Sequence, residues 1–218
     1  ASVPGVSWDA AAEKLVIDGH QIGVKALFHP EALIAWMDEQ HVERAWISAP
    51  PPTYRPGLDA VQAEAWTQLL NDGLAAIAAA HPDRLAPLYH LPVAHPALAT
   101  RIVRERVTAT GARFSMPTGE PGLMLSDASH APLWQALDDV SAFVFLHPGE
   151  GCDGRLDPFY LHNLLGNPSE TAVAAGHLVF AGVLERHPRI TLCLAHAGGT
   201  VPAVDRKSTR LNSSHGKL

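Results

Sequence analysis

Two short apolar runs, each closed by a histidine, constrain this chain more than any other feature. The first, SAFVFLHPG, covers residues 141–149, and the second, ITLCLAHAGG, covers residues 190–199. Continuous apolar runs of this length, rich in strand formers, predict parallel strands buried on both faces. Side chains alternate along a strand, so Phe143, Phe145 and His147 share one face, as do Leu192, Leu194 and His196. Each imidazole then stands at the carboxyl end of a buried strand, where α/β folds keep their active sites. Two such strands, with their histidines 49 positions apart (196 minus 147), predict that both rings converge on one site.

The rest of the chain alternates helix and strand signals. Residues 1–24 read as irregular, with a turn at Asp18-Gly19. Helices are predicted from Pro30 and over residues 58–80, 96–108 and 131–140, and a further one reaches from Asn167 to about Arg186. In that last helix Asn167, Pro168 and Glu170 fall at N-cap, N1 and N3, close to a capping box. Strands over 42–48, 84–93 and 111–116 bring the total to five with the two histidine strands. Such alternation argues for a parallel sheet with helices outside it. A doubly wound sheet is an alternative at this level, but no GxGxxG or P-loop favours a nucleotide-binding version. Residues 150–166 form a longer connection than a βα turn needs, and long loops on that face shape pockets.

Composition narrows the function classes. A chain of 218 residues with 47 % apolar and 17 % charged residues is globular. Its net charge of -6 gives no reason to expect nucleic acid or an anionic membrane as partner. No run approaches the roughly 18 apolar residues of a membrane span, and a cytoplasmic location is expected. Cys152 and Cys193 make neither a disulfide framework nor a CxxC site, and Cys193 is expected in the core. Of thirteen histidines, five precede proline and mark element boundaries. His90 and His177 are expected to be structural, and His162 to be an exposed loop residue.

FLHPG at 145–149 and LVFAGVLERHPRITLCLAHAGG at 178–199 resemble the amidohydrolase-related metal-dependent barrels. The aminocarboxymuconate-semialdehyde decarboxylase branch is the nearest in look. Asp153-Gly154-Arg155 matches that branch's loop after the first histidine strand, and Gly166, Pro168, Glu170 and Thr171 match its entry to the next helix. Weaker echoes at Met37-Asp38, at 48–51 and in HPDR at 81–84 extend the likeness over residues 30–202, in family order.

The resemblance implies a (β/α)8 TIM barrel, a fold of ~250 residues, here incomplete, with the first strand and the last strands missing. The family's first strand carries His-x-His, which occurs nowhere in this sequence. The barrel domain is assigned to residues 1–204. Residues 205–218 are set aside as a non-native tail, because DRKSTRLNSSH at 205–215 resembles a sequencing adapter translated codon for codon.

The resemblance further implies roles. His147 matches a metal ligand, with zinc as the expected divalent metal. His196 matches the histidine beside the metal's water, a catalytic acid and base. Arg155 is the candidate for gripping a substrate carboxylate. The branch also places an arginine shortly before the first helix, where this chain has Gly23 with Lys25 nearby. The implied activity is non-oxidative decarboxylation of a small unsaturated or aromatic carboxylic acid. The intact parent is expected to be a homodimer, and the fragment as given to be inactive. Metal-dependent hydrolysis of a lactone or amide is the same-fold alternative, and a non-catalytic barrel-derived binding protein is another.

Overall fold

The structure, a computed structural model, describes residues 3–23, 29–107, 111–120, 122–149 and 154–202. Lys25, Cys152, Asp153 and the 205–218 tail lie outside the described residues. The chain forms two compact units, residues 1–90 and 91–218.

The first unit opens where the sequence reads as irregular. Strands β1 (Val6–Asp9), β2 (Lys14–Ile17) and β3 (His20–Gly23) form an antiparallel meander. The expected Asp18-Gly19 turn joins β2 to β3, with φ of 49° and 84° at its two residues. Arg55 secures this turn by gripping both oxygens of Asp18, at 2.7 and 2.8 Å. Helix α1 (Pro30–Glu39) begins on its proline as expected, since a missing N–H costs nothing in the first turn.

Strand β4 (Ala45–Ile47) pairs in parallel with β5 (Leu85–Pro87), and the long helix α2 (Ala60–Ala80) lies between them in sequence. A capping box starts α2: Asp59 accepts from the Gln62 amide, and the Gln62 side chain accepts from the Asp59 amide. Strand β6 (Tyr89–His90) ends the unit. An apolar cavity of about 490 Å³ lies here, bounded by Leu15, Ile22, Leu33, Ile47, Leu74 and Ile77 among others. Among the described residues its walls carry no titratable side chain.

The second unit holds the histidine strands. Helix α3 (Pro96–Glu105) leads to β7 (Arg113–Met116), a small hairpin of β8 (Gly119–Glu120) and β9 (Leu123–Met124), and helix α4 (Ala131–Asp139). Strand β10 (Phe143–Leu146) lies between β7 and β11 (Thr191–Leu194), parallel to both. The intervening chain forms α5 (Asn167–Phe180) and α6 (Val183–Arg186), separated at Gly182 by a left-handed φ of 64°. The helix expected to run unbroken to Arg186 is therefore two helices.

Alternation along β10 is as expected. Val144 and Leu146 are fully buried, while Phe143, Phe145 and His147 share the other, half-buried face. Phe114, Met116, Leu133, Leu137 and Leu178 are likewise sealed, each side chain contributing roughly 1.5–3 kcal/mol of burial. Strand β11 departs from expectation. It is the edge of its sheet among the described residues, and Leu192, Cys193 and Leu194 are only half-buried. Its apolar run reads as a two-face strand, but covering the second edge and face takes neighbours that the described residues do not supply.

Asn167 is also not the N-cap of α5. A π-helical turn, His162–Gly166, runs straight into the helix, and Asn167 is already helical at φ -57° and ψ -45°. His162 is half-buried within that turn, not an exposed loop residue. No described helix is long and apolar enough to cross a membrane.

Candidate active site

The site begins with the register of β10 on β11, which pairs Phe145 with Cys193 and Leu146 with Leu194. In-register parallel strands deliver the residues after them to the same end of the sheet. His147 directly follows β10, and its amide donates to the Met116 carbonyl at 3.1 Å, extending the ladder by one residue. The Ala195 amide donates to the Leu146 carbonyl at 2.9 Å, and His196 comes next. The two imidazole centroids are 4.9 Å apart with planes at 58°. The predicted convergence of His147 and His196 is therefore present. Phe145 adds a tilted ring 6.0 Å from His147.

One hydrogen bond selects the tautomer of neutral His147. Its Nδ1 lies 2.8 Å from the Pro148 carbonyl. A carbonyl oxygen only accepts, so Nδ1 carries a proton, and in the neutral ring Nε2 presents its lone pair. That is the tautomer a metal-ligating imidazole needs.

His196 sits in an unusual backbone. It opens a 3-10 turn, His196–Gly198, in which His196 and Ala197 adopt left-handed φ of 53° and 52°. Non-glycine residues in this region carry strain that surrounding structure must hold, a pattern that clusters at functional sites. Here the hold comes from α5. Gly199, with φ 62°, approaches so closely that a Cβ there would overlap the Pro168 carbonyl and stand 3.3 Å from the Ala172 amide. Only glycine permits this approach. The buried Thr171, on the same face of α5, has its hydroxyl 3.2 Å from His196 Nδ1. Partial desolvation, and then the neighbouring His147, lower the pKa of His196 below the ordinary histidine value. Nearby, burial raises the Glu170 carboxyl, with His162 pulling the other way.

Further from the rings, Arg189 ties the entry of β11 to α4. Its amide and Nε donate to Asp138 at 2.8 and 2.9 Å. Burial alone would raise the Asp138 carboxyl, but these bonds more than offset it and the pKa is lowered.

Arg155 stands exposed in a 3-10 turn, Gly154–Leu156. Among the described residues no group of three or more His, Cys, Asp or Glu side chains could hold a metal ion. Catalytic zinc takes three protein ligands and keeps a fourth position open. Two imidazoles alone do not meet that need, so the described residues do not make a complete metal site. Sequence reasoning assigned no role to Thr171 or Gly199. The GG pair after His196 was the available signal for a close approach, but nothing in sequence shows which helix it meets.

The sequence description of the amidohydrolase family matches residues 17–215. The chain is 28 % identical over 195 residues to 2-amino-3-carboxymuconate-6-semialdehyde decarboxylase of Dictyostelium discoideum, covering 87 % of this chain and 54 % of that protein. It thus spans about half the length of the curated relatives it matches. Among solved structures it is similar to 2,6-dihydroxybenzoate decarboxylase from Rhizobium, at TM-score 0.77 and 24 % identity, over 85 % of this chain and 61 % of that one. It is also similar to 5-carboxyvanillate decarboxylase from Novosphingobium aromaticivorans, complexed with manganese and 4-hydroxy-3-methoxy-5-nitrobenzoic acid. That likeness has TM-score 0.72 and 22 % identity, over 84 % of this chain and 53 % of that one. At these identities the structural likeness concerns the fold, which is of the TIM-barrel type. With the family description spanning nearly its whole length, and a parallel α/β arrangement bringing two strand-end histidines together, the chain belongs to the amidohydrolase family.

Proposed function

We propose that this chain is part of a non-oxidative decarboxylase acting on a small aromatic or unsaturated carboxylic acid. The 4.9 Å approach of His147 and His196 at the carboxyl end of two paired strands carries the reading. The names of the chain's relatives support the reaction class.

In this reading His196 handles the proton. Its imidazolium donates to the carbon bearing the carboxylate, and the bond from that carbon to CO2 then breaks. The bonding electron pair stays with the carbon framework, CO2 leaves, and solvent reprotonates the imidazole. A pKa lowered from the ordinary value makes the cation a readier donor near neutrality. Arg155 is proposed to hold the substrate carboxylate, since a guanidinium grips it through two parallel N–H bonds.

His147 is proposed as one ligand of a divalent cation. Its Nε2 lone pair supports this, and manganese in the 5-carboxyvanillate decarboxylase supports the divalent class. Zinc in particular is the expectation from family resemblance alone. Among the described residues no group of three or more His, Cys, Asp or Glu side chains completes the ligand set. An incomplete barrel, extended by further strands in a longer native protein, belongs to the same proposal, as do a homodimer and a cytoplasmic location.

The test is to incubate the native gene product, supplied with divalent cations, with 2,6-dihydroxybenzoate, 6-methylsalicylate and related acids. Stoichiometric CO2 release with loss of substrate is expected. A hydrolysed lactone or amide product without CO2 release from any acid would replace this reading with hydrolysis.

A further inference from the structure

The buried hydroxyl of Thr171 decides which nitrogen of His196 is free. A threonine hydroxyl has a single proton and oxygen lone pairs. Two groups compete for that oxygen. One is the Asn167 carbonyl, 2.9 Å away and one helical turn back; the other is His196 Nδ1 at 3.2 Å. The carbonyl can only accept, so the shorter bond takes the Thr171 proton. What remains toward His196 is a lone pair, and His196 Nδ1 must then be the donor.

We propose that Thr171 is a positioning residue that fixes neutral His196 as its Nδ1–H tautomer and leaves Nε2 as the nitrogen that exchanges protons with substrate. This rests on the reading of His196 as the proton-handling group, and it adds how the chain selects the working nitrogen.

Three further observations converge on it. Thr171 is fully buried, so no bulk water competes for its oxygen. The left-handed φ at His196 and Ala197, and the glycine-only approach of Gly199 onto Pro168, hold the backbone of the exposed His196 against α5, within reach of Thr171. His147 uses the same device, Nδ1–H to an oxygen that only accepts. When neutral, both rings therefore present Nε2 lone pairs, and neither spends its Nδ1 proton on the other. In free histidine Nε2–H is the commoner neutral form, so selecting Nδ1–H takes a dedicated acceptor. Valine has nearly the shape of threonine and no oxygen, which makes Thr171→Val the direct probe. Serine keeps the hydroxyl.

The experiment uses the native gene product labelled with 15N in histidine, compared with Thr171→Val and Thr171→Ser, at a pH where imidazole is neutral. His196→Asn identifies the His196 signals. In the unaltered protein His196 should show protonated Nδ1 and unprotonated Nε2. Thr171→Val should move it to a mixture dominated by Nε2–H, and Thr171→Ser should restore the original form. With an active substrate, Thr171→Val should lower kcat about tenfold with KM within twofold and metal content unchanged. That is a fraction of the roughly 10²–10⁴-fold worth of an acid–base group. Thr171→Ser should recover kcat.

An Nε2–H form in the unaltered protein overturns the inference even if Thr171→Val does not fold. A Thr171→Val protein with an unchanged tautomer overturns it too. The tautomer is read without turnover. If the tautomer responds as stated while His196→Asn keeps full activity, the proposed function fails and the assignment of Thr171 stands.

Discussion

At the scale of single residues, the two histidines divide the proposed chemistry in a way that substitution can resolve. His147→Ala in the native gene product should lose both bound metal and activity, because a ligand is gone. His196→Asn keeps hydrogen-bonding capacity but cannot titrate. It should retain metal while the rate falls roughly 10²–10⁴-fold. Metal content measured beside rate separates the cases, and the reverse pattern exchanges the two roles.

A second residue-scale prediction concerns His90, which is buried, stacks on Tyr54 at 5.0 Å and has no hydrogen-bond partner for either ring nitrogen among the described residues. Asn71 holds the backbone of His90 instead, at 2.7 and 3.0 Å. Burial pushes its pKa down to about 4. A depressed pKa means that the unfolded chain binds the proton first. Stability from neutral His90 is thus complete above the ordinary value near 6.5 and is lost as pH falls toward 4. The loss amounts to about 3 kcal/mol. His90→Phe should flatten the dependence of the urea midpoint on pH over that window, and an equally steep curve in the variant would show that His90 is not its cause. His147 and His196 were legible because strand periodicity and a terminal glycine pair mark them. Thr171 was legible only as part of the helix-entry motif and its role was not, since a helical threonine acquires a role only when a distant loop docks on it. His90 was read as structural, and its burial agrees.

At the scale of elements, the docking of the His196 turn on α5 is the joint that holds the site. Gly199 has a backbone, φ 62° and ψ -125°, that side-chain-bearing residues avoid, and Pro168 closes the space a Cβ would need. Gly199→Ala should therefore cost on the order of 1–3 kcal/mol and separate His196 from Thr171. Thermal denaturation reads the first effect and the His196 tautomer the second; an unchanged melting temperature would show that the turn relaxes without cost.

Elements with strong periodicity were legible: α1, α2, β10 and, in position, β11. The β1–β3 meander was not. Its strands have four residues each and mostly exposed side chains, so hydrophobic alternation is weak. The π-turn before α5 was also missed, because a proline preceded by asparagine looks the same whether the helix starts there or continues from a wider turn.

At the scale of the whole molecule, the α/β class and the family were legible from the order of motifs, because strand–helix alternation and the two histidine runs survive at low identity. The division into units at residues 90 and 91 was not, since no change of composition marks it. The donors in the described residues set a metal prediction. Purified chain dialysed against zinc or manganese should hold well under one equivalent by elemental analysis, because two imidazoles fall short of the usual ligand set. One tightly held equivalent would place further ligands within this chain.

The edge position of β11 has a practical consequence as well. Cys193, half-buried across from Phe145, is a thiol on the outermost described strand of its sheet. With Cys152 replaced by serine, its alkylation rate relative to that of the unfolded chain gauges how firmly the strand stays paired, and so how well the two histidines are kept together.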